Sequence, residues 1–308
     1  MRHWLHSAAR IAAMLGLACA ALSASADPAT LRSRYTQLRE QLRTNVYHRP
    51  IYIDSAEAGD VLKGDVYAVL DHPFGELATT LKDPNDWCAI MILPFNTKYC
   101  HAVQGEKGGT MLTMRIGRKV DQPVSEAYRV DFTMQPVASS NDFFESRLTA
   151  AEGPVGTSNY RITLEAVPID DRRTFMHLSY SYSYGGMGKF AMQAYLSTAG
   201  ASKVGFSVVG KDAEGQPIYI GGVRGAIERN VMRYYLAIEA HLASLSAPPD
   251  RQLDKRLQVW FDSSERYARQ LHEMDRAQYI AMKRGEYGRQ QAALSDRDSS
   301  RPSARMAE

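Results

Sequence analysis

Three tyrosines at alternate positions form the pattern with the clearest chemical meaning in this chain. Residues 176–184 read Met-His-Leu-Ser-Tyr-Ser-Tyr-Ser-Tyr, so Tyr180, Tyr182 and Tyr184 share one face of a predicted strand and serines share the other. Tyrosine combines a large apolar ring with a polar tip, which suits a cavity for an amphipathic molecule. The alternative is that this face only packs against a helix, and the sequence leaves both interpretations open.

Neighbouring predicted strands and helices would line the same space. The expected ligand-binding set is Trp87, Leu112, Met114, Phe132, Met134, Leu164, Met176, Tyr180, Tyr182, Tyr184, Arg224 and Tyr234. Methionine linings suit varied apolar ligands, although methionine also fills ordinary cores. Arg224 follows two glycines at a predicted helix start, where it could hold an anionic head group or lie on a solvated face.

The motifs of the common catalytic classes are absent from the sequence. It contains no Gly-x-Ser-x-Gly elbow, no His-Glu-x-x-His pair and no complete phosphate-binding loop. His72, His101 and His177 fall in different predicted elements, so their spacing defines neither a nucleophile–base pair nor a metal site. We therefore predict no catalytic residue, no metal ligand and no cofactor.

The first 26 residues have the three-part pattern of a secretory signal peptide. A basic start precedes an apolar run at 11–22, and Ala-Ser-Ala at 24–26 provides a cleavage site. The run is too short to span about 30 Å of hydrocarbon, and no later run approaches 18 apolar residues. Lipidation at Cys19 is disfavoured because the aliphatic residue wanted three positions upstream is missing. We expect cleavage after Ala26 and a periplasmic or secreted protein.

The two cysteines of the expected mature chain, Cys88 and Cys100, predict a disulfide in an oxidising compartment. A metal site or a catalytic thiol is the competing interpretation, but no second Cys/His pair stands at zinc-like spacing.

Composition excludes several classes of protein. The chain is 44% hydrophobic, which is too high for a disordered protein. Its net charge of +3 lacks the basic excess expected of a nucleic-acid-binding protein, and removal of the signal would take away two arginines.

Periodicity predicts the elements that would position these residues. Apolar residues at helical spacing indicate a helix at 29–46 and a long helix at 223–245, and period-two alternation indicates antiparallel strands through most of 90–222. A second amphipathic stretch at 252–284 would end near Gly285 or Gly288. It either packs onto its own domain or binds a protein partner.

This order resembles the START-like helix-grip superfamily, also called SRPBCC. The resemblance covers roughly residues 50–246 and rests on GDVYAVLDHPFGELATTL, DPNDWCAIM and GAIERNVMRYYLAIEAHLASL. It implies an α+β fold in which a curved antiparallel sheet grips a long C-terminal helix, with extra N-terminal and C-terminal helices. The implied division is 1–26 signal peptide, 27–49 N-terminal helix, 50–246 helix-grip domain, 250–290 helical extension and 291–308 disordered tail.

The resemblance also implies a cavity for a lipid or other apolar molecule. The favoured interpretation is a periplasmic binding or carrier protein rather than an enzyme. A cyclase- or hydrolase-type enzyme would instead need a convergent acid–base pair in the cavity. An envelope interaction protein would have a filled core, with no internal cavity above about 300 Å³.

Overall fold

The computed structural model describes residues 27–105, 109–135, 137–198 and 200–300. The signal predicted at 1–26 and residues 301–308 lie outside the described residues. The helices and strands, in chain order, are α1 (Pro28–Arg43), β1 (Ile51–Ala58), β2 (Val61–Leu70), α2 (Phe74–Thr80), α3 (Pro84–Met91), β3 (Thr97–Gln104), β4 (Thr110–Ile116), β5 (Tyr128–Met134), β6 (Ala138–Ser139), β7 (Phe144–Glu152), β8 (Ser158–Pro168), β9 (Thr174–Ser183), α4 (Met187–Ser197), β10 (Val208–Lys211), β11 (Pro217–Tyr219), α5 (Gly222–Ser244), α6 (Pro249–Glu265), α7 (Ala268–Leu271) and α8 (Arg276–Ser300).

A nine-stranded antiparallel sheet forms the centre of the protein. Its order is β1-β2-β9-β8-β7-β5-β4-β3, with β6 paired to β7. The alternation in β9 buries Leu178, Tyr180 and Tyr182 and leaves the intervening serines half-buried. The predicted α+β helix-grip architecture is confirmed.

The long helix α5 lies against one face of this sheet. A Cβ added to Gly64 of β2 would come within 3.1 Å of Val231 and 3.2 Å of Ile227, so glycine permits the close approach of helix and strand. On the other side of α5, Trp260 of α6 donates its indole N–H to the Arg233 carbonyl at 3.1 Å. The helix is therefore enclosed between the sheet and the C-terminal helices.

Helix α1 covers part of the opposite face of the sheet, as its predicted apolar stripe requires. The small core that it forms there consists of Leu31, Leu38, Leu42, Phe143, Val167 and Phe175.

Two predicted boundaries are wrong. The stretch at 252–284 is broken between Glu265 and Arg276, and α8 continues to Ser300, past both Gly285 and Gly288. Part of the tail predicted to be disordered is therefore helical. Polar contacts explain the extension. Glu286 and Gln290 are buried against β3, and a search for apolar residues at helical spacing does not detect polar contacts of this kind.

Helix α3 begins directly after Asp83. The Asp83 side chain accepts a hydrogen bond from the backbone N–H of Asn85 at 2.8 Å, and Pro84 occupies the first helical position. The predicted disulfide is confirmed, since Cys88 of α3 is bonded to Cys100 of β3.

No helix in the described part of the chain is long and apolar enough to cross a membrane.

Candidate functional site

A cavity of about 280 Å³ lies between the sheet, α5 and α4. Most of its lining is apolar or aromatic. The lining residues are Pro94, Asn96, Met114, Ile116, Val130, Phe132, Pro154, Val155, Thr157, Tyr160, Tyr180, Tyr182, Gly188, Ala191, Met192, Tyr195, Asn230, Arg233 and Tyr234.

Four tyrosine rings in contact form one wall of the cavity. Tyr160 stacks on Tyr182 with ring centres 5.3 Å apart, and Tyr234 of α5 meets Tyr180 edge-on at the same distance. Burial raises the pKa of Tyr180, Tyr182 and Tyr234, so these hydroxyls stay neutral at physiological pH and can donate hydrogen bonds.

The hydroxyls of this tyrosine wall differ in their partners. Tyr160 shares a hydrogen bond of 2.6 Å with the Thr157 hydroxyl. Those of Tyr180, Tyr182 and Tyr234 form no hydrogen bond with any residue in the described ranges. The wall thus presents hydrogen-bonding capacity that the protein itself does not use.

Polar side chains from α5 and from the segment before β3 make another part of the lining. Asn230 and Arg233 are three residues apart on α5, so they lie on the same helix face as Tyr234. Arg233 donates from Nη2 to Glu273 Oε1 at 2.6 Å, while its buried Nε has no partner among the described residues. Asn96 reaches the cavity from the turn that precedes β3.

Helix α4 covers the cavity. Gly188, Ala191 and Met192 face inward, whereas Met187 and Phe190 are 74% and 73% exposed. A Cβ added to Gly188 would contact the Gly156 carbonyl at 3.4 Å, so the helix packs closely on the turn that joins β7 to β8.

Five of the residues predicted to bind ligand line this cavity together: Met114, Phe132, Tyr180, Tyr182 and Tyr234.

The other predicted residues lie elsewhere. Trp87 is buried and donates its indole N–H to the Leu81 carbonyl at 3.0 Å. The Tyr184 hydroxyl donates to Glu57, and Arg224 donates to the Ser55 backbone and hydroxyl. The remaining four are buried in the core away from the cavity lining: Leu112, Met134, Leu164 and Met176.

Sequence reasoning missed Tyr160, Tyr195, Asn230 and Arg233. Tyr160 was visible on the predicted apolar face of its strand, together with Ile162. The polar residues of α5 carried no signal, because a charged residue on a long helix ordinarily points to solvent.

The lining contains no aspartate, glutamate or histidine in the described part of the chain. A histidine held by two carboxylates does occur, but on the opposite face of the sheet. There His177 contacts Asp65 through Nε2 at 2.7 Å and Glu165 through Nδ1 at 2.9 Å, and its ring stacks on Tyr67.

No known family profile and no curated protein matches this chain. Solved structures with a similar arrangement do exist. One neighbour is norcoclaurine synthase from Thalictrum flavum in complex with dopamine and hydroxybenzaldehyde: identity is 15%, the TM-score is 0.32, and the match covers 47% of this chain and 86% of that one.

Human STARD10 is 8% identical, with a TM-score of 0.30 over 54% of this chain and 74% of its own. A conserved protein from Geobacillus kaustophilus is 15% identical, with a TM-score of 0.35 over 59% and 95% of the two chains. At these identities and TM-scores the likeness carries no argument about function, which has to be argued from the site.

Proposed function

We propose that this protein binds a compact amphipathic molecule in the cavity between its sheet and α5. The observation that carries the proposal is the group of unpartnered hydroxyls on Tyr180, Tyr182 and Tyr234 inside an otherwise apolar lining. A hydrogen bond from a ligand to one of these hydroxyls would contribute about 0.5–1.5 kcal/mol. A ligand with a polar end would satisfy these groups and bury its apolar part against the aromatic rings, and this favours binding over a filled core.

Cavity size restricts the ligand. The volume of about 280 Å³ lies just below the 300–1,000 Å³ typical of small-molecule sites. By the limit of about 300 Å³ given above, size alone favours a filled core, so the proposal depends on the chemistry of the lining. The volume favours a single short alkyl chain or a small ring system over a larger lipid.

The ionisable groups of the lining favour binding rather than catalysis. General acid–base chemistry needs groups whose pKa values lie near the working pH. The described lining offers tyrosines with raised pKa values and an arginine, and neither type exchanges protons readily near neutral pH. A binding or carrier role uses the hydroxyls as they stand.

A cavity-filling variant tests the proposal. Wild-type protein purified from its own envelope is expected to retain a compact amphipathic molecule in native mass spectrometry. It should also bind N-phenyl-1-naphthylamine after the bound molecule has been extracted. Ala191→Trp places an indole in the cavity and should abolish both signals.

Ala194→Trp is the matched control, because Ala194 lies on the same helix but is exposed. It should leave both signals unchanged. An empty wild-type protein that fails to bind the probe, or equal binding by the two variants, would overturn the proposal.

We further propose a periplasmic location, with cleavage after Ala26. Asp27 would then be the first residue of the mature chain, and its side chain already caps α1 by accepting from the Ala29 N–H at 3.0 Å. The Cys88–Cys100 disulfide also suits an oxidising compartment. Intact-mass measurement on a periplasmic extract tests this, and a mass that includes residues 1–26 would contradict it.

A further inference from the structure

Glu273 lies beside the cavity and pairs with several cationic side chains. Glu273 accepts hydrogen bonds at 2.6 Å from both Lys119 and Arg233, and Lys203 stands 3.7 Å from its other oxygen. Arg233 and Glu273 are largely withdrawn from solvent, at 7% and 12% exposure, whereas Lys203 is 22% and Lys119 35% exposed. Positive charge therefore exceeds negative charge around Glu273, and water screens it least at the buried Arg233.

Arg229 adds a further cation one turn before Arg233 on α5. It is 2% exposed and donates only to neutral oxygens, the Val204 carbonyl and the Tyr195 hydroxyl, each at 3.2 Å. The nearest carboxylate in sequence, Glu228, accepts four hydrogen bonds from Ser55, Phe206 and Ser207 instead. Among the described residues, Glu273 is thus the only carboxylate within hydrogen-bond distance of either buried guanidinium group, and it contacts Arg233.

Arg233 connects this cluster to the cavity. Its side chain lines the cavity, and of its nitrogen atoms only Nη2 has a hydrogen-bond partner among the described residues. A buried guanidinium with unused N–H groups is costly unless an acceptor completes its hydrogen bonds. The side-chain amides of Asn96 and Asn230 also line the cavity and have no hydrogen bond to a described residue.

We infer that the ligand of this cavity carries an anionic oxygen group, a carboxylate or a phosphate, which is held by Arg233 with Asn230 beside it. Such a group would accept from Arg233 Nη1, which has no hydrogen-bond partner among the described residues and is not enclosed as Nε is, while the apolar part of the ligand lies against the tyrosine wall. Charge-assisted hydrogen bonds of this kind are the strong ones, and they would offset the excess of cations. This inference rests on the proposed function and assigns the chemical class of its ligand.

Matched eight-carbon ligands test the inference by isothermal titration calorimetry on the mature, delipidated protein. Octanoate and octyl phosphate present the two anionic groups, and octanol presents the same chain without charge. At least one anion should bind wild-type protein about tenfold more tightly than octanol. The tighter of the two anions identifies the source of the charge.

Arg233→Met should remove this preference, so that the anions bind no better than octanol. Arg224→Met is the control, because Arg224 lies on the same helix but contacts Ser55 outside the cavity lining. Should Arg233→Met fail to fold, Asn230→Leu provides a second reading, since Asn230 is uncharged and only half-buried. It should reduce the preference while keeping octanol binding.

Two failures are distinguishable. Equal affinities for octanol and both anions in wild-type protein, or a preference that survives in every cavity variant, would overturn the anionic ligand and leave the proposed function standing. Loss of all binding, including that of N-phenyl-1-naphthylamine by wild-type protein, would overturn the proposed function itself.

Discussion

Lys98 of β3 and Glu286 of α8 form an ion pair with 2.8 Å between Nζ and Oε1, and neither side chain has any exposed area. The other carboxylate oxygen of Glu286 accepts from Lys283 at 2.8 Å, and Lys283 also donates to the Thr97 carbonyl at 2.7 Å. Lys98 donates to the Phe95 carbonyl as well. This network fastens the last helix to the edge strand of the sheet.

Glu286→Gln should destabilise the protein strongly, because it leaves two buried ammonium groups without a counter-charge. Removing one partner of a buried ion pair costs about 3–5 kcal/mol. Urea unfolding measures the loss of free energy. Asp254→Asn is the control: it breaks the exposed 2.8 Å pair with Arg284 and should have little effect on stability. Similar losses for both variants would contradict the prediction.

His177 should make stability depend on pH. Burial lowers its pKa, but hydrogen bonds to Asp65 and Glu165 outweigh burial and raise the pKa overall. The folded state therefore holds the proton more tightly than the unfolded chain, whose histidine pKa is about 6.5. The stabilisation is complete below that value and is lost as pH rises through the folded pKa.

Unfolding free energies measured from about pH 5.5 to 8.5 check this sign. The advantage of wild-type protein over His177→Gln should shrink as pH rises, because His177 loses its proton and with it the charge that pairs with Asp65 and Glu165. His48→Asn, at an exposed position, serves as the control. An advantage that stays constant with pH would count against the proton held by His177.

Loss of the Cys88–Cys100 bond should cost about 3 kcal/mol, as expected for a closed loop of about 13 residues. The bond joins α3 to β3, so its removal breaks the covalent link between that helix and the edge strand of the sheet. The double variant Cys88→Ala/Cys100→Ala should unfold at lower urea than wild-type protein. A reductant should shift wild-type protein toward the variant and leave the variant unchanged; a shift in both would point to another cause.

Trp87→Phe should reduce stability without changing ligand affinity. The substitution leaves the buried Leu81 carbonyl unpaired, at a cost of about 1–3 kcal/mol, and Trp87 does not line the cavity. Tyr182→Leu should weaken probe binding, since it removes a ring and a hydroxyl from the cavity wall. Loss of probe binding in Trp87→Phe but not in Tyr182→Leu would contradict this placement of the site.

Much of the fold could be predicted because it depends on local periodicity. The alternation in 176–184 identified the buried face of β9, and the apolar steps in α1 and α5 identified two of the helices. The helical extension of α8 could not be found this way. Its anchor is a set of polar contacts to β3, and Lys98 and Glu286 are 188 residues apart.

The candidate site also has features that follow from local sequence and features that depend on long-range packing. The sequence alone determined that Tyr180 and Tyr182 share a buried face, since side chains alternate along any strand. Only the tertiary structure decided that Arg233, rather than Arg224, reaches the cavity. Both arginines lie on α5, and their environments depend on where that helix crosses the sheet and which carboxylate a later segment brings beside it. Such long-range placement follows from the packing of whole elements, which local sequence patterns do not encode.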